Sequence, residues 1–344
     1  MQNTLIEQQL GHLTLGDAQW IHNLSVYPLL ADEDSLPGYL TLDQALNDKQ
    51  ARITEVSEGG HVPELAFENL TDRPILLLDG EELVGAKQNR VLNVTLLVRG
   101  GSKLSIPVSC VEMGRWSHNS PEFSSGGRAL YSRARASKMQ QVSESLRRSG
   151  SRQSDQGAIW DDIAFKMNER GESSSTQAMA DIYEGAEGKL SDYEQAFRPI
   201  PKQVGAVFAI NGQIAGIELF DAPVALAAYL PKLVKSYALD ALDAQHEVSP
   251  VVEAESIRQF LKQLGAVTQE RYPASGAGED VRLEGEVITG GALEYGGKLV
   301  HLAAYRTSPK NRANIGEHVS PMARSSYRRQ RCTDRSQRRS AASR

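Results

Sequence analysis

Short apolar runs separated by turn residues fill the first hundred residues of the chain. The run Leu24–Leu30 and those that follow it are rich in Val, Ile, Leu and Thr, as is typical of β-strands. We expect them to form an antiparallel, β-sandwich-like region. The clearest hairpin is predicted for residues 92–98 and 104–108, because Gly100 and Gly101 between them can adopt the positive φ that a chain reversal needs.

Residues 130–146 form the first of several predicted helices in the middle of the chain. Apolar residues recur there at three- and four-residue intervals, which indicates one narrow buried stripe. The other side of this helix is basic, and we expect it to be solvated or to meet an anionic partner. The basic residues are Arg128, Arg133, Arg135, Lys138, Arg147 and Arg148.

Two further helices in this part of the chain are indicated by capping residues. One is expected to begin at Ser154 or Asp155 and to end near Gly171, since Ser and Asp favour helix starts and Gly favours helix ends. The other is expected to begin at Ser191, because Glu194 follows at the spacing of a capping box.

The last ordered part of the chain returns to strands. Asn211-Gly212 lies between two apolar runs, and this dipeptide favours the type I′ turn of a hairpin over residues 204–219. A long helix containing Pro231 follows, and then a helix that is expected to begin at Ser249-Pro250 and to end at Gly265. Two final strands complete the pattern.

These elements together predict an α+β protein with several regions. We expect a β-rich region that carries polar motifs over residues 1–120 and a helical region over 121–202. C-terminal strands with long helices are expected over 203–306, packing on the first region. A disordered, Arg-rich tail is expected over 307–344.

The charge of the chain is unevenly distributed. The whole chain of 344 residues has a net charge of −5, but residues 306–344 contain ten Arg, one Lys and two acidic residues, a net charge of +9. This segment has too few apolar residues to form a core, which predicts disorder. Its arginines could neutralise nucleic-acid phosphates, but no aromatic or periodic pattern accompanies them, so a nucleic-acid partner is not expected.

Several protein classes are disfavoured by what the sequence lacks. No apolar run is long enough to cross a bilayer, and no secretory signal is recognisable, so we expect a cytoplasmic protein without a membrane partner. Two cysteines form neither a disulfide framework nor a zinc quartet. Phosphate-loop, dinucleotide and hydrolase-elbow motifs are missing as well. The sequence therefore identifies no metal and no cofactor.

Two polar segments, residues 79–90 and 106–118, carry the candidate chemistry. Apolar residues should alternate along a half-buried strand, yet residues 87–90 are polar on both faces. The predicted hairpin brings the two segments close together. We therefore expect residues 87–90 and 112–118 to face one cleft.

The residue types in this cleft are those that a nucleotide-like ligand requires. Lys87, Arg90 and Arg115 would hold an anion, and Trp116 would stack on a ring. Glu82 or Glu112 would bind hydroxyl groups or transfer a proton, and His118 is a further candidate general acid or base. The structural alternative is that the same charges pair with one another and fix the edge of a sheet.

These two segments resemble the domain found associated with ADP-ribosylglycohydrolase and rhodanese-phosphatase proteins, a family of unknown activity, over about residues 10–305. The resemblance implies a link to NAD or ADP-ribose metabolism. It implies these site residues: Glu81, Glu82, Lys87, Gln88, Asn89, Arg90, Glu112, Arg115 and Trp116. We therefore expect a domain that binds or processes ADP-ribose or a related nucleotide. The alternative is a non-catalytic scaffold that binds a protein partner.

Overall fold

The computed structural model describes residues 4–57, 62–117, 120–244 and 251–307. All of them lie in one compact unit. The predicted α+β class with antiparallel sheets is confirmed. The predicted boundaries inside this unit stay predictions, and the Arg-rich tail lies outside the described residues. Within the described ranges, no helix combines the length and the apolar character that a bilayer crossing requires.

Helices and strands alternate irregularly along the chain. The helices of the described ranges are Leu5–Gly11 (α1), Leu42–Asn47 (α2), Ser132–Ser149 (α3), Gln156–Arg170 (α4), Met179–Gly185 (α5), Glu187–Ala196 (α6), Pro223–Asp243 (α7) and Ala254–Gly265 (α8). The strands are Thr14–Leu15 (β1), Gln19–Ile21 (β2), Leu24–Leu30 (β3), Leu40–Thr41 (β4), Ala51–Glu55 (β5), Glu64–Asn69 (β6), Ile75–Leu77 (β7), Glu81–Gly85 (β8), Arg90–Leu92 (β9), Leu96–Val98 (β10), Lys103–Cys110 (β11), Phe123–Ala129 (β12), Gln203–Ile210 (β13), Gln213–Phe220 (β14), Thr268–Pro273 (β15), Glu279–Glu284 (β16), Ile288–Tyr295 (β17) and Lys298–Arg306 (β18).

These strands form three sheets. A nine-stranded sheet has the order β1-β3-β13-β14-β18-β17-β16-β15, with β2 paired to β3, so it joins strands from both ends of the described chain. A six-stranded sheet has the order β12-β8-β9-β11-β6-β5, and it carries most of the candidate site. A third sheet, β10-β7-β4, contains a parallel pair, β4 and β7.

Apolar side chains cover both faces of the nine-stranded sheet. Helices α1 and α8 pack on one face, where Ile6 and Phe260 join the same core as Val207. Helix α7 packs on the other face, where Leu226 and Tyr237 join a second core. Because both faces are covered, a charged side chain on a central strand of this sheet must find its partner inside the protein.

Two elements with strong local signals form as predicted. Asn211 and Gly212 both have positive φ, 49° and 70°, which is what a type I′ turn requires, and β13 pairs with β14 across them. Helix α4 has Asp155 as its N-cap, and Gly171 ends it in the left-handed conformation. The end of α8 at Gly265 is also confirmed, whereas its predicted start at residues 249–250 lies outside the described residues.

The hairpin predicted for residues 92–98 and 104–108 forms only at its outer end, where Leu92 pairs with Val108, and is wrong for the rest. Strand β10 pairs with β7 of the small sheet, whereas β11 pairs with β6 and β9 of the six-stranded sheet. Gly101 alone of the two glycines has positive φ, 64°. Gly100 is required for a different reason: the backbone of Asp72 packs against it, and a Cβ at position 100 would lie only 2.3 Å from the Asp72 carbonyl oxygen.

Two predictions about the middle helices are also wrong. Helix α6 begins at Glu187, so Ser191 lies inside it and does not cap it. The basic face of α3 is not solvated as a whole, because Arg135 and Lys138 are completely buried, and Arg128 belongs to β12. Local spacing could not reveal this burial, since the acids that pair with these cations lie on other elements.

Candidate functional site

The turn between β8 and β9 positions the centre of the candidate site. Ala86 has a φ of 39°, a left-handed conformation that disfavours residues with a Cβ. Two contacts hold this conformation: the Ala86 amide donates to Ser120 Oγ at 3.1 Å, and Arg115 Nη1 donates to the Ala86 carbonyl at 2.7 Å. Side chains from other segments, Ser120 and Arg115, therefore hold the backbone of the turn. The residues that follow Ala86 in the chain include Lys87 and Arg90.

Arg90 is a buried cation with spare hydrogen-bonding capacity. Its side chain has no exposed surface, and Nη1 donates to Gln88 Oε1 at 3.0 Å. Nε and Nη2 have no hydrogen-bond partner among the described residues. A buried guanidinium normally uses all its donors, because an unpaired buried charge is costly. Two of the three nitrogens of Arg90 are therefore not used by hydrogen bonds among the described residues.

Trp116 covers this cation. The centre of its ring lies 5.8 Å from Arg90 Cζ and 5.3 Å from Lys87 Nζ, which places both cations over the indole. The Trp116 side chain is 50% exposed. The indole thus lies between two buried cations and the solvent.

Arg115 and Glu112 form a two-point ion pair beside the turn. Arg115 Nε donates to Glu112 Oε1 at 2.9 Å, and Nη2 donates to Oε2 at 2.6 Å. Burial alone would raise the pKa of Glu112, but hydrogen bonds from Arg115 and from the Asn89 amide outweigh burial and lower it. Glu112 is therefore an ionised carboxylate that orients its neighbours.

Gln88 connects this pair to β11. Gln88 Nε2 donates to the Glu112 carbonyl at 2.8 Å, and the Cys110 thiol donates to Gln88 Oε1 at 3.1 Å. Burial raises the pKa of Cys110, although the nearby Arg90 opposes this effect. The thiol therefore stays protonated at neutral pH and acts as a small buried polar group.

Glu82 is the titratable acid of the site. It is fully buried on β8, where Arg128 Nε lies 3.0 Å from Oε2. Gly126 makes room for it, because a Cβ at that position would lie 2.5 Å from Oε2. Burial raises the pKa of Glu82 to about 7, against the opposing charge of Arg128. A carboxyl with such a pKa can donate or accept a proton near neutrality.

One predicted site residue, Glu81, does not join this cluster. Glu81 points to a separate buried group, where it pairs with Lys232 of α7 at 2.5 Å and accepts from the Leu78 amide. His118 lies outside the described residues. The structure therefore brings together Glu82, Lys87, Gln88, Asn89, Arg90, Glu112, Arg115 and Trp116.

Sequence reasoning missed the long-range partners of these charges. The sequence places Arg128 on a helix face, whereas its partner Glu82 lies on the neighbouring strand β8. A second buried ionic cluster was missed entirely; its members are Asp79, Arg135, Lys138, Glu218 and His301. The one local signal was a polar residue inside an apolar strand, as at Glu218 and His301.

The described residues contain no group of three or more His, Cys, Asp or Glu side chains arranged to hold a metal ion. The fold and site define an α+β domain with buried charged clusters and a half-exposed tryptophan, Trp116, over two cations. The model of the ARG and Rhodanese-Phosphatase-superfamily-associated Protein domain, ARPP-1, matches residues 12–305, and the chain belongs to this family. Comparison with curated proteins and with solved structures found no match.

Proposed function

We propose that this domain binds an anionic, nucleotide-like ligand, ADP-ribose or a related NAD-derived compound, at Arg90 and Trp116. The observation that supports this proposal is the fully buried Arg90, two of whose nitrogens have no hydrogen-bond partner among the described residues. Phosphate oxygens are the acceptors that such donors prefer. The half-exposed Trp116 offers its outer face to a nucleobase.

The other residues of the cluster take supporting parts in this proposal. Lys87 adds a second positive charge next to Trp116. Arg115 and Glu112 position the turn, since the nitrogens of Arg115 already donate to protein oxygens. If the ligand is processed as well as bound, Glu82 is the group that exchanges a proton, because its pKa is about 7.

Calorimetric titration with ADP-ribose, NAD and AMP tests the proposal. We expect Trp116→Ala to weaken binding by about 5- to 150-fold, the equivalent of the 1–3 kcal/mol that base stacking contributes. Trp20→Ala is the matched control, because Trp20 is 59% exposed on β2, and binding should not change. The absence of heat with all three ligands overturns the proposal.

A non-catalytic scaffold is the alternative function, and the same variants separate the two. In a scaffold, Lys87, Arg90 and Arg115 only stabilise the turn. Their replacement by Ala would then lower the free energy of unfolding, and neither the natural chain nor the variants would bind the nucleotides. Unfolding curves recorded beside each titration decide between these outcomes.

A further inference from the structure

A small cavity lies against the second buried ionic cluster. Its volume is about 10 Å³, and the polar residues in its wall are Asp79, Thr95, Asp280, Arg282 and His301. The first two precede β8 and β10, whereas the other three lie on β16 and β18 of the nine-stranded sheet. The cavity is therefore bordered by segments that are far apart in the sequence.

Glycine at position 291 keeps this cavity open. Gly291 lies on β17 and lines the cavity. A Cβ at this position would lie 2.7 Å from Arg282 Nη1 and 2.9 Å from Met139 Sδ, and both of these residues line the cavity as well. A larger residue at position 291 would therefore fill the cavity or displace its wall.

Asp79 brings an unsatisfied acceptor to the wall of the cavity. The Asp79 side chain is buried, and Oδ1 accepts from Lys138 Nζ. Oδ2 has no hydrogen-bond partner among the described residues, and Arg135 Nε, at 3.7 Å, is too far away to donate to it. Buried polar atoms are usually paired with protein or with ordered water, because an unpaired one is costly. Asp79 Oδ2 therefore needs a donor.

Two neighbouring cations cannot supply this donor. Lys138 Nζ uses its three protons for Asp79 Oδ1 and for two backbone carbonyls. The nitrogens of Arg282 already donate to Ser143, Asp280 and Met139. The donor must therefore be a molecule that the cavity itself admits.

The size and the polarity of the cavity select water. A volume of about 10 Å³ is close to the least that one water needs, and a buried water requires about two to four polar partners. Asp280 offers a second acceptor beside Asp79. Its oxygens accept from Arg282 at 3.2 Å and from Arg152 at 2.9 Å, and each carboxylate oxygen can accept twice. The Thr95 hydroxyl is a third polar group in the wall.

We propose that this cavity binds a single ordered water, which donates one proton to Asp79 Oδ2 and the other to the Asp280 carboxylate. The water satisfies the acceptor that the buried ionic cluster leaves unpaired. It also joins the segment before β8 to β16 of the nine-stranded sheet. The water site shares no residue with the nucleotide site, so either proposal can fail while the other stands.

Oxygen-17 relaxation dispersion of the full chain tests this proposal, because it counts the internal waters that exchange slowly with solvent. We expect Gly291→Ala to hold one such water fewer than the natural chain, since the added methyl group takes up the space of the cavity. Gly188→Ala is the matched control on α6, where a Cβ meets nothing within 4 Å, and the count should not change. An equal count in folded Gly291→Ala overturns the inference.

A crystal structure of the natural chain that resolves ordered waters decides the question if circular dichroism shows that Gly291→Ala does not fold. We expect one water within hydrogen-bond distance of both Asp79 Oδ2 and an Asp280 oxygen. A cavity without an ordered water overturns the inference, and so does a direct hydrogen bond from Arg135 Nε to Asp79 Oδ2.

Discussion

Arg115 holds Glu112 through two nitrogens, at 2.9 and 2.6 Å, while the two side chains are only 10% and 7% exposed. The same guanidinium donates to the Ala86 carbonyl and to Asn89 Oδ1. One ion pair therefore supports the turn that carries Lys87 and Arg90. The conformation of the candidate site depends on a contact that need not touch any ligand.

Removal of Arg115 should destabilise the whole domain. We expect Arg115→Ala to lower the free energy of unfolding by about 3–5 kcal/mol, because Glu112 would remain buried and unpaired. Arg258→Ala breaks a pair whose side chains are 61% and 68% exposed, and should cost about 0–1 kcal/mol. Urea denaturation measures both. Equal losses in the two variants would contradict the structural role of Arg115.

Two fully buried arginines should respond oppositely to replacement. Arg135 pairs with Glu218, so Arg135→Met should cost about 3–5 kcal/mol. Arg90 has no carboxylate in salt-bridge contact among the described residues and two unpaired nitrogens, so Arg90→Met should be neutral or stabilising by about 1–3 kcal/mol. Thermal and urea unfolding test the pair. A large loss of stability in Arg90→Met would mean that Arg90 serves the fold.

Glu82 should make stability fall as the pH rises. Its pKa of about 7 in the folded state lies above the ordinary value of 4.5, so folding favours the protonated form. The favourable contribution is complete below about pH 4.5 and is lost as the pH rises through 7, a change of about 3 kcal/mol. Glu82→Gln should therefore gain stability relative to the natural chain between these pH values.

Urea midpoints at pH 4.5, 6 and 8 would measure this gain. Glu255→Gln is the control, since Glu255 has a 68% exposed side chain, and its difference from the natural chain should not grow with pH. A constant difference for Glu82→Gln across this range would show that folding does not raise the pKa of Glu82.

The adjacent glycines before β11 should differ in their tolerance of alanine. A Cβ at Gly100 would lie 2.3 Å from the Asp72 carbonyl oxygen, so Gly100→Ala must displace backbone. Gly101 has open space, and Gly101→Ala should cost only the strain of its φ of 64°, about 1–2 kcal/mol. Thermal unfolding of both variants tests the order, and a greater loss at Gly101 would contradict it.

Predictions from short segments succeeded where the cause was itself local. The turn at Asn211-Gly212 formed as expected because its two residues tolerate positive φ, and α4 begins after Asp155 because that side chain caps it. The predicted hairpin pairs Leu92 with Val108 but does not close through Gly100, since the partner of β10 is β7, a strand from earlier in the chain. Strand pairing is chosen by the whole sheet, and residue preferences near a turn do not specify it.

In the candidate site, too, features with a local cause could be predicted from the sequence, and features that depend on distant partners could not. The polar run 87–90 was visible in the sequence because no half-buried strand needs polar residues on both faces. The membership of Glu81 was not predictable, because its partner Lys232 is 151 positions away. Arg135 was placed on a solvated face for the same reason, since its partner Glu218 is 83 positions away.

The sequence by itself determined the α+β class, the capped start of helix α4, the Asn-Gly hairpin and the two segments that hold the polar residues, because spacing and turn chemistry act over a few residues. Tertiary structure alone decided which charges are buried, which acid meets which base, and where Arg90 keeps unpaired donors. Burial of a charge is costly unless a partner compensates it, and only the folded chain brings distant partners together.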